Sequence, residues 1–76
     1  MAQKPQFYPE EIERLRQAWQ EMMQRRSEGI GSAWGDHYKL VAILRDCGVD
    51  AEFESSSQVE NYVEHVITYG EAPDIY

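Results

Sequence analysis

Asp46–Glu64, DCGVDAEFESSSQVENYVE, is compatible with two folds. In one reading it closes a helix, turns and opens the next. Gly48 then takes the left-handed position just past a helix end, and Val49 packs back onto Leu44, the hydrophobic contact of a Schellman stop. Ser57 and Glu60 fit a capping box for the following helix, serine at the cap and glutamate three residues on. In the other reading Val49, Ala51 and Phe53 alternate with Asp50, Glu52 and Glu54, the period of a strand. Lys39–Arg45 would pair with that strand as a hairpin around Asp46–Gly48. Two strands alone are marginal, so this version needs helices or a second subunit on the sheet.

The flanking sequence favours helices. Downstream, Val59, Tyr62, Val63, Val66 and Ile67 recur at helical spacing. Gly70 ends that stripe and Pro73 prevents its resumption, which predicts a helix over 58–69. Upstream, Leu40, Val41, Leu44 and Cys47 trace one stripe with Ile43 beside it. With Asp36 as its cap, this predicts a helix over 36–47. GIGSAWG at 29–35 is a glycine-punctuated connector whose Ile30 and Trp34 are apolar enough to tuck against a core or a partner. Before it, Ile12, Leu15, Trp19, Met22 and Met23 share one face of a helix over 9–28. Pro9 stands at its first position, Glu10 and Glu11 in its first turn, Arg25 and Arg26 in its last, and Gly29 at its stop. Its outer face offers the i,i+4 pairs Glu10–Arg14 and Glu21–Arg25. Residues 1–8 read as a flexible leader and 71–76 as a tail.

The expected fold is therefore one small all-α domain of three helices, with helix–β-hairpin–helix (strands near 38–45 and 49–54) as the alternative. Its expected core is Ile12, Leu15, Trp19, Met22, Leu40, Val41, Leu44, Val59, Tyr62, Val63, Val66 and Ile67. With 76 residues, such a chain buries about 60% of its unfolded surface, so association with another molecule is a plausible source of further stability. Cys47 is the only cysteine, which excludes an internal disulfide and fits a reducing compartment. The opening MAQKPQFYPEE has no apolar stretch, so no signal peptide is expected, and no apolar run reaches the ~20 residues of a membrane span. A soluble cytoplasmic protein is expected, in the host cell's cytoplasm if the chain is phage-encoded.

The charge is unevenly placed. The net charge is −7. Residues 1–28 hold five acids and five bases, whereas residues 29–76 hold nine acids against Lys39 and Arg45. After Arg45 there is no lysine or arginine. Such a field repels nucleic-acid phosphates and anionic lipid and attracts basic surfaces.

No constellation for chemistry stands out. Asp50, Glu52 and Glu54 alternate as in a calcium loop. But glutamates replace two of the shorter ligands, Ser55 stands where glycine must turn the loop, and Asn61 stands where the bidentate glutamate belongs. His37, Cys47 and His65 lack the paired spacing of a zinc site. Cys47 at a helix C-terminus meets the dipole end that raises a thiol pKa, and it reads as a small apolar core residue. GIGSAWG has neither the lysine nor the preceding strand of a phosphate loop. Neither catalytic nor metal residues nor a cofactor are expected.

What remains is a protein-binding role. The expected partner-binding residues are Asp46, Asp50, Glu52, Glu54, Glu60 and Glu64, with Trp34 and Tyr69 as apolar anchors. The expected partner is the basic surface of a nucleic-acid-binding protein or nuclease complex, blocked by a DNA-mimicking acidic face, with no direct binding of nucleic acid or membrane. Phage counter-defence proteins of the anti-CRISPR kind, nuclease immunity proteins and antitoxins share this profile of small size, acidity and no active site. That is an analogy of class without a residue-level match. The second expectation is an accessory subunit or homodimer held by Met22, Met23, Trp34 and Tyr76.

Overall fold

The computed structural model describes residues 6–29, 33–50 and 52–73, with the backbone only for Ala33 and Trp34. Three helices account for most of it: α1 (Pro9–Ser27), α2 (Ala33–Asp46) and α3 (Ser56–Tyr69). Each packs against the other two. The hairpin alternative is not adopted, because residues 38–45 lie within α2. Burial explains the choice. Leu40, Ile43, Leu44 and Cys47 are all buried, at helical spacing, while Tyr38 and Arg45 stay in solvent. A strand would have put alternate residues, not every third and fourth, into the core. Among the described residues the only β feature is an isolated antiparallel bridge between Gln6 and Glu71.

The corner after α2 closes as its sequence predicts. Gly48 has φ +98°, the Val49 N–H donates to Leu44 O at 3.0 Å, and the Gly48 N–H donates to Arg45 O at 3.0 Å. These are the two bonds of a Schellman end. Val49 is buried beside the stripe it closes. Phe53 packs edge-on against Tyr62 of α3, with centroids 5.4 Å apart.

Both later helices start earlier than their sequence suggests. Ser55, not Ser57, caps α3, its hydroxyl accepting the Gln58 N–H at 3.3 Å. The Ser55-x-x-Gln58 pair repeats the cap pattern two residues upstream. Gln58 Oε1 accepts the Glu54 N–H at 2.7 Å, and Glu60 is released from the capping duty assigned to it. α2 begins at Ala33, so Asp36 lies in its first turn rather than at its cap. There its carboxylate still suits the positive end of the helix dipole.

The core joins Leu15, Met22, Leu40, Leu44, Val59, Tyr62, Val63 and Val66, all nearly or fully inaccessible. Ile12, Trp19, Val41 and Ile67 are partly buried around it. Phe7 belongs to it as well, although it lies in the stretch expected to be a flexible leader. The Phe7 N–H donates to Gly70 O at 3.1 Å, so the segment entering α1 lies along the exit of α3. Ile30, Ile75 and Tyr76 lie outside the described residues.

Candidate functional site

The cations of α1 and α2 do not make the intrahelical pairs Glu10–Arg14 and Glu21–Arg25. Arg16 pairs within α1 with Glu13 at 3.3 Å, whereas Arg14, Arg25, Arg26 and Lys39 reach across helices. Arg14 contacts Asp46 at 3.4 Å, Lys39 contacts Glu21 at 2.7 Å, and Arg25 pairs with Asp36. Arg26 contacts Glu60 through both guanidinium nitrogens, each at 3.2 Å. Asp36 is almost inaccessible, so its pairing with Arg25 satisfies a buried charge.

Glu60 is the centre of this arrangement. Its second contact is His37, whose Nε2 lies 2.9 Å from Glu60 Oε2. His37 is 1% exposed. An ionised carboxylate only accepts hydrogen bonds, so Nε2 carries the proton here. The Arg26 hydrogen bonds hold the Glu60 carboxyl below the ordinary glutamate range, against the opposing effect of its partial burial, and His37 adds to the lowering. Reciprocally, Glu60 raises the Arg26 pKa. Glu60 therefore ties α1, α2 and α3 together. Glu60, expected to bind a partner, is already engaged within the chain, and no local spacing signals a contact that spans 34 residues.

The other acids assigned to a partner separate in the same way. Asp46 is engaged by Arg14, though it stays well exposed. Asp50 is exposed and has a contact of its own within the chain. The carboxylates of Glu52, Glu54 and Glu64 are exposed, and among the described residues none has an ion pair. Tyr69 is 67% exposed, its ring tilted against His65 with centroids 4.6 Å apart. His65 Nδ1 lies 3.0 Å from Glu71 O, so this histidine is satisfied by backbone. Met22 is 1% exposed and serves the core, which removes it from the apolar interface expected of an accessory subunit; Met23 is exposed. The Trp34 side chain lies outside the described residues.

The described residues contain no cluster of three or more His, Cys, Asp or Glu side chains able to hold a metal ion. None of their helices is long and apolar enough to cross a membrane. Cys47 is a buried free thiol.

A cavity of about 340 Å³ opens between α2, the connector that joins α2 to α3 (47–55) and the start of α3. Val41 and Ala42 of α2, Phe53 of the connector and Val59 of α3 make its apolar wall. Tyr38, Arg45 and Ser55 bring polar groups to it, and His37 reaches it from α2. Arg45 is exposed and, among the described residues, has no ion pair. The cavity has no local signature in the sequence, because its wall joins residues of three segments.

Against known proteins, the chain matches no protein-family model, no curated protein and no solved structure.

Proposed function

We propose that this protein is a small, acidic, non-enzymatic inhibitor that docks on the basic surface of a nucleic-acid-binding protein or nuclease complex and occupies the groove meant for phosphates. One observation carries the reading. The cations of α1, together with Lys39, are engaged by Glu13, Glu21, Asp36, Asp46 and Glu60, while Glu52, Glu54 and Glu64 project exposed carboxylates from a stretch that contains no lysine or arginine. An ordinary solvated face mixes both signs. A predominantly acidic face, here with the exposed cation Arg45 nearby, steers a cationic partner and strengthens with each close charge pair. The docking residues of this reading are Glu52, Glu54 and Glu64, with Asp46 and Asp50 contributing field and Tyr69 an exposed ring.

The test uses the immobilised full chain in lysate of its native cells. A captured protein that duplex DNA displaces, and that the triple variant Glu52→Gln, Glu54→Gln, Glu64→Gln fails to capture, supports the reading. A captured protein indifferent to DNA, salt and the triple variant contradicts it.

A further inference from the structure

We propose that the cavity between α2 and the connector seats an apolar, preferably aromatic, side chain of the cationic partner, with Glu52 and Glu54 holding lysines or arginines on either side of it. This deepens the reading of a basic partner and rests on it.

Three features place the anchor here. The cavity is at the small end of ligand-binding volumes, about 300–1,000 Å³, which suits one side chain rather than a large ligand. Its wall of Val41, Ala42, Phe53 and Val59 is apolar, and burying an aromatic group is the strongest single contribution such a hollow can draw from a protein partner. Its charge surroundings select the guest. Glu54 stands between Phe53 and Ser55, both of which line the cavity, and Glu52 precedes Phe53; both glutamates are exposed. An apolar seat whose lining residues Phe53 and Ser55 are next in the chain to exposed Glu52 and Glu54 suits an apolar side chain flanked by cations. It also resembles the arrangement in which a central anchor is ringed by polar contacts that exclude water.

Arg45 is the lining group of the wrong sign for that guest. A carboxylate-bearing small molecule is the occupant it would favour. The chain's net charge of −7 and the adjacent Glu52 and Glu54 weigh against an anion. The two occupants respond oppositely to loss of the Arg45 charge.

The experiment titrates the full chain with a capped lysine-rich peptide bearing one central tryptophan, and with the same peptide bearing alanine there. Affinity is read by fluorescence anisotropy, and the contact is located by amide NMR shifts at Val41, Phe53 and Val59. The tryptophan peptide is expected to bind about tenfold tighter. Ala42→Trp, at an exposed helical position, fills the cavity. It should erase that difference while leaving the salt-dependent binding of the alanine peptide. Arg45→Gln should strengthen binding of both peptides. Equal, salt-dependent affinity for both peptides, with Ala42→Trp silent, overturns the anchor site and leaves the acidic docking reading standing. Absence of binding by either peptide at low salt overturns that reading and the anchor with it. Shifts at the cavity on adding indole-3-propionate, lost in Arg45→Gln, would make it an anion seat and overturn the proposal.

Discussion

His37 Nε2 and Glu60 Oε2 lie 2.9 Å apart, one side chain buried in α2 and the other on α3, and the same carboxylate grips Arg26 of α1. A ring 1% exposed cannot turn to water for a partner, so the interior of this domain has a polar clasp at the meeting of its three helices. Arg26, 46% exposed, can turn to water if Glu60 is neutralised, but the buried His37 Nε2 then faces a weaker acceptor, which costs stability.

Glu60→Gln should therefore destabilise the fold by about 1–2 kcal/mol, read as a fall in Tm of about 5–15 °C for a domain of this size. Glu64→Gln, one turn further along α3 at an exposed position, is the control and should stay within about 0.5 kcal/mol. Thermal unfolding followed by circular dichroism compares the two.

The pH dependence has a defined sign. Arg26 lowers the folded-state pKa of Glu60 below its ordinary value of 4.5. Its contribution is therefore fully present above that ordinary value and disappears as pH falls through the lower folded value. The stability gap between the native chain and Glu60→Gln should be constant near neutrality and shrink on acidification. Lys39 lowers the Glu21 pKa as well, but that pair is solvated, and Glu21→Gln should leave the profile nearly unchanged. Urea titrations across the acid range measure both.

Phe7 is 7% exposed and clustered with the core. Phe7→Ala is expected to cost about 3 kcal/mol or more, the usual penalty for an aromatic ring removed from a core. Chains this short have stabilities of about 3–5 kcal/mol, so much of the population should unfold at room temperature. A native-like Tm for this variant would mean that the segment before α1 is dispensable.

Gly48→Ala tests the corner. At φ +98° a side chain is strained although no neighbouring atom stands within 4 Å of the added carbon. The expected loss is about 1–2 kcal/mol. Gly35→Ala, in helical backbone with open space around it, should instead be neutral or slightly stabilising.

The helices were legible because each apolar stripe is local. Leu40, Ile43, Leu44 and Cys47 declare one face within three turns, and Gly48 with Val49 declares its end. The cap of α3 was less legible, since three consecutive serines, Ser55–Ser57, offer the same hydroxyl and only packing chooses among them. The acidic site was half legible. Composition marks 46–64 as one-signed, yet it cannot separate Glu60 from Glu64, which differ only in what faces them. Arg26 and His37 come to Glu60 from 34 and 23 residues away. The cavity was not legible at all, because Val41, Phe53 and Val59 meet only after the chain has turned.

Docking through Glu52, Glu54 and Glu64 is tested by the affinity of the triple variant Glu52→Gln, Glu54→Gln, Glu64→Gln for a lysine-rich peptide at about 0.1 M and about 1 M salt, beside the native chain and Glu60→Gln. Native binding should fall steeply with salt, the triple variant should bind about tenfold more weakly at low salt with a flattened salt response and an unchanged Tm, and Glu60→Gln should lose Tm while keeping its affinity. Native affinity and salt response in the triple variant, or a Tm loss equal to that of Glu60→Gln, would contradict docking through these residues.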